Sequence, residues 1–523
     1  PGSWPVARRT AARHLADTGA VLRLARRPTR HRVLALIAVA LLLAAAAPPP
    51  TAATATDPPS SPALAAVAVA RQRWVPLPGA RAVDERFIRS ALGGRGDFYR
   101  LGILPDGFPG RVQDGGTVVH PIYGTYVLGT YLRRYAAKPS ERLASDMLAF
   151  ARVAIRRMEP YRGALVFRNP PELGFIRSPG LRYSGLTMAY YAVYLAAVGR
   201  ITGDRAVAAA ADGCFRSLLV PETEGGVLYT WNETDVAIAE IPGRPADLTL
   251  NGWLSILVSV HEYGAVSGSA VAKRIFRTSA TTMANLLPLY DVRELRLSRY
   301  ALSGPIDARL RLSDPQGVTL TDAKVVIPGD DAYPLAFEGE TRWVTAYATS
   351  RLRKMGSDPL AVRPLDATVP LRLVLSRVSY PVRNVVTIRV TTPRRITIAL
   401  DTLTGRFDPR RSGPVDTSWA QAASVVVEPG EQLVKLRIPW DLADSVAPLT
   451  NWAHLIQGRP VNIYHAIHVR RLRQMASLVA ISRFESYARI WTEDMCAWAS
   501  MPRYAGLLTT DDAGAVARPS VHC

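Results

Sequence analysis

Residues 240–266 read EIPGRPADLTLNGWLSILVSVHEYGAV, an acidic loop rich in proline that leads directly into a long apolar stretch. Prolines disfavour helix at and before their own positions, so the first residues of this stretch are predicted to be a loop. From Leu250 onward the apolar residues recur at helical spacing. About twenty helical residues later, NLLPLYD at 285–291 supplies a second turn. The stretch therefore predicts two long helices, preceded by a loop that carries carboxylates.

The same helical periodicity extends on both sides, from about residue 83 to residue 302. Apolar residues fall at i, i+3, i+4 and i+7, and Gly and Pro separate the periodic segments. The clearest of these segments are 124–137, 140–158, 185–204 and 204–219. Paired helices joined by Gly-rich loops favour an α/α toroid.

After Tyr300 the apolar period changes from helical spacing to two, with Val, Ile and Thr enriched, which is typical of strands. The strand-like segments are 306–317, 322–330, 371–380, 384–392, 394–402, 423–430 and 431–440. Helical periodicity returns at 462–495. The predicted fold class is therefore multidomain α and β: an α/α toroid with an inserted antiparallel β-sandwich.

The N-terminal region has the pattern of an export signal. Five arginines between residues 23 and 32 precede the apolar run VLALIAVALLLAAAA at 33–47. This run is shorter than the ~20 residues that span a bilayer comfortably, so it predicts a signal peptide or a short membrane anchor. An exported protein, secreted or membrane-anchored, follows. The predicted boundaries are signal or anchor 1–47, disordered linker 48–80, toroid 81–302, sandwich 303–450, helices completing the toroid 451–505 and tail 506–523.

The charge balance points to an acidic partner. The formal net charge is +21, carried by Arg more than Lys. Arg pairs with planar carboxylates, which favours an acidic polysaccharide, although a genome-wide bias toward Arg explains the charge equally well. No zinc-finger spacing or basic-aromatic platform is present, so nucleic acid is not an expected partner. Three cysteines without a CxxC motif disfavour structural zinc, and a Cys214–Cys496 disulfide is left open.

Several short motifs occur in a recognisable order. They are VVHPI at 118–122 with Tyr126, AYYA at 189–192, Glu240-Ile241-Pro242, NGW at 251–253, LPLYD at 287–291 and YHAIH at 464–468. In this order they resemble the C-terminal domain of the D-glucuronyl C5-epimerases, which invert C5 of uronic acids inside polymers. The resemblance covers about 230 residues. It implies an exported enzyme on an acidic polysaccharide, and a homodimer is compatible with the family.

The resemblance also implies a site. Inverting C5 needs a base on one face of the sugar, a proton donor on the other, and groups that hold the uronate carboxylate. Glu240 falls on the family's acid and Tyr464 on a catalytic tyrosine. Two further tyrosines of the family fall on Ile241 and Ser298, and an arginine falls on Ala301.

Neighbouring residues offer substitutes for these departures. Tyr300 lies two residues beyond Ser298, and Arg299 and Arg296 lie close to Ala301. The predicted catalytic residues are therefore Tyr464, Glu240 and Tyr300, with Arg299 or Arg296 holding the carboxylate. Further candidates for substrate binding are Asn251, His465, His468 and Tyr126, each of which also has an ordinary structural interpretation. The two histidines lack a third ligand, so neither a metal nor another cofactor is predicted.

Two other functions stay open. A degenerate site suits a non-catalytic protein that binds glycans or takes part in their assembly. A hydrolase or lyase of uronate polymers needs paired carboxylates, which the acidic segment supplies at Glu222, Glu224, Glu233, Asp235 and Glu240. Motifs of serine hydrolases, P-loop proteins and dinucleotide-binding folds are missing from the chain.

Overall fold

The computed structural model describes residues 61–70, 82–93, 100–113, 115–170, 173, 183–230, 234–243, 246–326, 332–334, 352–355, 358–376, 385–404, 408–410, 418–438, 449–456 and 458–507. Residues 58–523 form one compact unit. The predicted signal or anchor segment at 33–47 lies outside the described residues. Within those residues, no helix has both the length and the apolar character needed to cross a bilayer.

Helices make up most of the described chain before residue 300 and after residue 462. Within the described residues these are α1 (Pro62–Ala70), α2 (Glu85–Gly93), α3 (Pro121–Ala137), α4 (Glu141–Arg156), α5 (Gly185–Thr202), α6 (Arg205–Ser217), α7 (Leu250–Ser267), α8 (Ala270–Tyr290), α9 (Ile463–Leu478) and α10 (Ser482–Ala497). The periodic run 462–495 is two helices rather than one, because Val479 adopts an extended conformation (φ −146°, ψ 135°).

Local capping explains where these helices begin and end. Helix α5 ends at Gly203, whose φ of +71° suits glycine, and the next residue, Asp204, starts α6. The Asp204 carboxylate accepts hydrogen bonds from the backbone N–H groups of Ala206 and Val207 at 2.9 and 3.0 Å. One hydrophobic core joins α1–α10, and α7 packs against α5, α8 and α9.

Short antiparallel ladders occupy the connections between the early helices, where the sequence pattern indicates only loops. The strands are β1 (Leu101–Ile103), β2 (Pro109–Gln113), β3 (Gly116–Val119), β4 (Glu159–Tyr161), β5 (Ala164–Val166), β6 (Leu228–Thr230), β7 (Val236–Ile238), β8 (Asp291–Val292) and β9 (Leu297–Ser298). Their shortness hides the period-two signal.

Two larger antiparallel sheets follow, and we call residues 303–438 the two-sheet region. Its strands are β10 (Ser303–Leu312), β11 (Thr319–Val326), β12 (Ala332–Pro334), β13 (Leu352–Met355), β14 (Asp358–Pro364), β15 (Thr368–Ser376), β16 (Val385–Thr392), β17 (Ile396–Thr404), β18 (Ser418–Val427) and β19 (Gly430–Arg437). One sheet has the order β15-β10-β17-β18, and the other has β13-β14-β11-β16-β19 with β12 beside β11. Alternate residues of both sheets, such as Leu310, Ile388 and Ile398, share a second hydrophobic core.

The chain returns from the two-sheet region beside the point where it left. Leu449 pairs with Arg299 in an isolated antiparallel bridge, and the Thr450 N–H donates to the Ser298 carbonyl at 3.1 Å. The hairpin of β20 (His454–Ile456) and β21 (Arg459–Val461) then leads into α9. The prediction of a chain that mixes helices with antiparallel sheets is confirmed.

Candidate active site at the start of helix α7

Glu240 lies in the loop between β7 and α7, and the backbone fixes its position. Its carbonyl accepts a hydrogen bond of 2.7 Å from the Gly185 N–H at the start of α5. Its side chain is half-buried and lies against Gly252 in the first turn of α7. A Cβ atom at Gly252 would overlap Oε2 of Glu240 and lie 2.9 Å from its Cδ. Glycine in the NGW motif therefore provides the space that the Glu240 carboxyl occupies.

The Glu240 carboxyl is unusually basic. Burial, and to a smaller extent the nearby Asp247, raise the pKa of Glu240 to about 8. Asp247 was not predicted as a site residue, although it belongs to the same loop. Its backbone carbonyl accepts from the N–H of Leu302 at 3.0 Å, which holds the loop against the chain leaving Tyr300.

Between Asp247 and α7 the backbone takes an unfavourable conformation. Leu248 has a φ of +47°, which residues with a side chain rarely adopt. The Tyr290 hydroxyl, at the end of α8, donates a 2.6 Å hydrogen bond to the Leu248 carbonyl. Leu248 and Tyr290 are both fully buried. Tertiary packing therefore holds the acidic loop in a strained but defined shape.

Tyr300 and Tyr464 meet at this loop. The ring centroids are 4.7 Å apart and the planes are inclined at 69°, an edge-to-face contact. The Leu250 N–H donates to the Tyr300 carbonyl at 2.9 Å, which ties Tyr300 to the start of α7. Burial, the charges of Glu240, Tyr464 and Asp247, and a hydrogen bond with Tyr464 raise the pKa of Tyr300 far above its usual value. The structure thus brings together Glu240, Tyr300 and Tyr464.

His454 adds a further titratable ring that the sequence analysis missed. It lies in the β20–β21 hairpin, with its ring centroid 5.0 Å from that of Tyr464 and the planes at 70°. Burial lowers the pKa of His454, so the imidazole is neutral at physiological pH. Only its position just upstream of the YHAIH motif could have indicated a role.

His465 and His468 belong to a buried network behind Tyr464 rather than to the open part of the site. The Ser298 hydroxyl lies 2.9 Å from Nδ1 of His465 and 2.8 Å from Nδ1 of His468. The Ser298 N–H also donates to His465, whose Nε2 donates to the Trp491 carbonyl at 3.1 Å. Burial lowers the pKa of His465 to about 4, and burial together with the nearby His465 lowers the pKa of His468 well below its usual value. The network fastens the strand before Tyr300 to the helix of Tyr464.

The two predicted arginines, Arg299 and Arg296, have different surroundings. Arg299 is 4% exposed, and the charges acting on its guanidinium are those of Glu294 and Asp291. Burial lowers the pKa of Arg299 to about 10. Arg296 is exposed in the turn between β8 and β9, where its φ is +51°.

The remaining candidates are distributed more widely. Asn251 is half-buried in the first turn of α7, and its Oδ1 atom has no hydrogen-bond partner among the described residues. Tyr126 is half-buried on α3. Cys214 is a buried free thiol, so a Cys214–Cys496 disulfide is ruled out. Across the described ranges, no group of three or more His, Cys, Asp or Glu side chains is placed to hold a metal ion.

The geometry limits how a sugar could bind. With their centroids 4.7 Å apart, the Tyr300 and Tyr464 rings leave no room for a pyranose between them. The charge of Glu240 contributes to the raised pKa of Tyr300, so Glu240 is the third titratable group near this pair.

Comparison with known families agrees with these motifs. Residues 177–310 match the family model of the D-glucuronyl C5-epimerase C-terminus. The resemblance is therefore confirmed for this segment, which includes Glu240, Asp247, Asn251 and Tyr300. Tyr464 lies beyond it. A comparison with curated proteins gave no match.

Proposed function

We propose that this protein is an epimerase that inverts C5 of uronic acid residues in an acidic polysaccharide. The observation that carries the proposal is the convergence of Glu240, Tyr300 and Tyr464 beside the first turn of α7. The epimerase match at 177–310 supplies the reaction class.

In the proposed reaction, the Glu240 carboxylate removes the proton from C5 on one face of the sugar. The electron pair of the broken C–H bond passes into the adjacent uronate carboxylate. Tyr464 then delivers its phenolic proton to C5 on the opposite face, which inverts the centre without changing the composition of the sugar. Glu240 then releases its proton to solvent, and Tyr464 regains a proton from solvent, with the neutral His454 imidazole beside its ring as the proposed relay and Tyr300 as its hydrogen-bond partner.

The environment of Glu240 suits this role. A base is most effective when its pKa lies near the working pH, and the pKa of Glu240 is about 8. An ordinary carboxylate is a weaker base by several pKa units. We expect the exchange rate to rise with pH up to about 8, because only the ionised form accepts the proton.

The start of α7 is the proposed contact for the polar groups of the sugar. Thr249 does not cap this helix with its side chain, and the Glu240 carboxyl lies against its first turn at Gly252. Asn251 is half-buried in the same turn, so its side-chain amide is the proposed contact for a sugar hydroxyl. Arg299 and Arg296 remain candidate carboxylate ligands, and Tyr126 remains a candidate binding residue. His465 and His468 are fully buried, and their proposed role is to hold Ser298 in place.

The rest of the organisation belongs to the same proposal. Helical pairs around one core support an α/α toroid, and two sheets around a shared core support an inserted β-sandwich. Export is supported by the basic and apolar N-terminal sequence. It is also supported by Cys496, which is disulfide-bonded, because disulfides persist in oxidising compartments.

A hydrolase is the second candidate, since Glu240 and Asp247 form a carboxylate pair in which one member has a raised pKa. A glycosidase uses such a pair as acid and base or nucleophile. The two reactions leave different products: epimerisation in deuterium oxide labels C5, whereas hydrolysis creates new reducing ends.

The test is to incubate the protein with a glucuronic acid polymer in deuterium oxide and to measure deuterium at C5 by NMR. We expect label at C5, and Glu240→Gln and Tyr464→Phe should each reduce the rate by about 10³-fold. Gly252→Ala should reduce it by about 100-fold, because a new Cβ displaces the Glu240 carboxyl.

Gly264→Ala is the matched control, because it lies on the same helix and its Cβ would meet neighbours at an ordinary 3.4 Å. Its exchange rate should equal that of the wild type. Absence of deuterium at C5 from the polymer would refute the epimerase proposal. New reducing ends without label would favour the hydrolase.

A further inference from the structure

One face of the β15-β10-β17-β18 sheet carries an organised polar cluster outside the proposed active site. Leu310 and Leu400 point into the core of the two-sheet region, so their neighbours in sequence point outward. The outward residues include Arg309, Arg311, Asp401, Trp419 and Gln421. Register places Arg309 opposite Asp401, and Asp401 opposite Gln421. We call these five residues the outer-face cluster.

A single buried carboxylate orients both arginines. Asp401 is 3% exposed, and its Oδ2 accepts from Nε of Arg309 at 2.9 Å and from Nε of Arg311 at 3.2 Å. The side-chain oxygen Oε1 of Gln421 accepts a hydrogen bond from Nη2 of Arg311 at 3.0 Å. These hydrogen bonds use Nε of Arg309 and both Nε and Nη2 of Arg311. The cluster keeps an excess of one positive charge, with guanidinium N–H donors left over.

Trp419 completes the cluster. It is 37% exposed, which is unusual for tryptophan, and the Arg309 guanidinium lies over its ring at 4.5 Å from the centroid. An exposed indole provides a flat apolar surface for the C–H face of a sugar ring. The spare N–H groups beside it match the two oxygens of a carboxylate.

We propose that the outer-face cluster is a second binding site for the acidic polysaccharide, separate from the active site. Trp419 stacks on a sugar ring, and Arg311 with Arg309 binds the carboxylate of a uronic acid residue. The identity of the ligand rests on the proposed function, since the cluster would hold the polymer whose other residues are epimerised. The charge of the cluster selects the ligand. An aromatic ring beside guanidinium N–H donors can bind both the ring and the carboxylate of a uronate, whereas a neutral glucan has no carboxylate to bind. Nucleic acid is less suited, because single strands are bound by successive aromatic rings.

The test is affinity electrophoresis of the full chain through native gels that contain a glucuronic acid polymer, a neutral glucan or single-stranded DNA. We expect retardation by the acidic polymer alone. Trp419→Ala and Arg311→Ala should each weaken the apparent affinity at least tenfold, with an unchanged circular dichroism spectrum.

Two matched controls lie on the other sheet. Leu433→Ala removes another exposed apolar side chain, and Arg389→Ala removes another exposed arginine that is paired with a carboxylate, that of Glu431. Both should migrate like the wild type. Equal losses in Arg389→Ala and Arg311→Ala would show binding by general charge and overturn the proposal, as would unchanged migration of Trp419→Ala or equal retardation by DNA.

The readout is binding and needs no turnover. Retardation that depends on Trp419 and Arg311, without deuterium at C5, would keep this site and refute the epimerase. Label at C5 with migration unaffected by either substitution would keep the epimerase and refute this site.

Discussion

Two carboxylates, Glu240 in the helical region and Asp401 in the two-sheet region, differ in what surrounds them. Glu240 has Asp247 nearby, and burial raises its pKa to about 8. Asp401 is also removed from water, but hydrogen bonds from Arg311 and Arg309 outweigh that effect and lower its pKa. Burial alone therefore does not determine the charge of a carboxyl; the neighbouring charge does. The first environment suits proton transfer, and the second suits a fixed binding surface.

The largest expected effect on stability is a gain from Glu240→Gln at high pH. Below the ordinary pKa of 4.5, Glu240 is protonated in both the folded and the unfolded state. As the pH rises from 4.5 to 8 only the unfolded state ionises, so the wild type loses stability over this window. We expect the variant to be more stable by about 3 kcal/mol at pH 9, after allowance for its partial exposure.

Urea denaturation at pH 4 and pH 9 measures this difference, and Glu431→Gln, an exposed acid of the two-sheet region, is the control. The two curves of the Glu240→Gln protein and the wild type should coincide at pH 4. Equal stability of the wild type and the Glu240→Gln protein at pH 9 would show that folding does not raise the pKa of Glu240.

We expect Ser298→Ala to have an intermediate effect on stability. Its hydroxyl belongs to a buried network of hydrogen bonds and not to an ion pair. Ser298→Ala removes the hydroxyl that contacts Nδ1 of His468, whose Nε2 already has no partner among the described residues. A buried imidazole left without a partner costs about 2 kcal/mol in unfolding free energy. Thermal or urea denaturation measures it, with Ser145→Ala on α4 as a buried serine control. A loss below about 0.5 kcal/mol, which is near the limit of such measurements, would contradict the network.

The smallest effect is expected from Asp401→Asn. The lowered pKa of Asp401 means that its charge stabilises the folded state above its ordinary pKa, and this contribution disappears as the pH falls through the folded value. Both arginine side chains remain partly exposed, at 30% and 49%. We therefore expect a loss of about 1 kcal/mol at pH 7 and none at strongly acid pH, measured by urea denaturation. If Asp401→Asn lost as much stability at acid pH as at pH 7, the loss would come from packing and not from the charge of Asp401.

The sequence predicted the helical and strand regions well, because long periodic segments report which face is buried. Segment 185–204 corresponds to α5 and 384–392 to β16, each within two residues. The short ladders escaped prediction because strands of two to five residues are too short to show a clear period. The break at Val479 escaped because its flanking residues continue the helical pattern.

For the candidate site, motif order identified Glu240, Tyr300 and Tyr464, which the structure places together. It could not identify Asp247 or His454, because their proximity depends on the fold of a loop and a hairpin. Arg299 illustrates another limit. In an extended segment alternate side chains face opposite sides, so Arg299 is directed away from the side that Ser298 and Tyr300 share.

The Arg299–Leu449 bridge has a consequence for how such proteins diversify. The polypeptide leaves and re-enters the helical region at adjacent positions, so the two-sheet region is an insertion with a single point of attachment. Such an insertion can be exchanged or remodelled while the helical region keeps its own hydrophobic core. If both proposals hold, polymer recognition can change in the two-sheet region while the chemistry stays in the helical region.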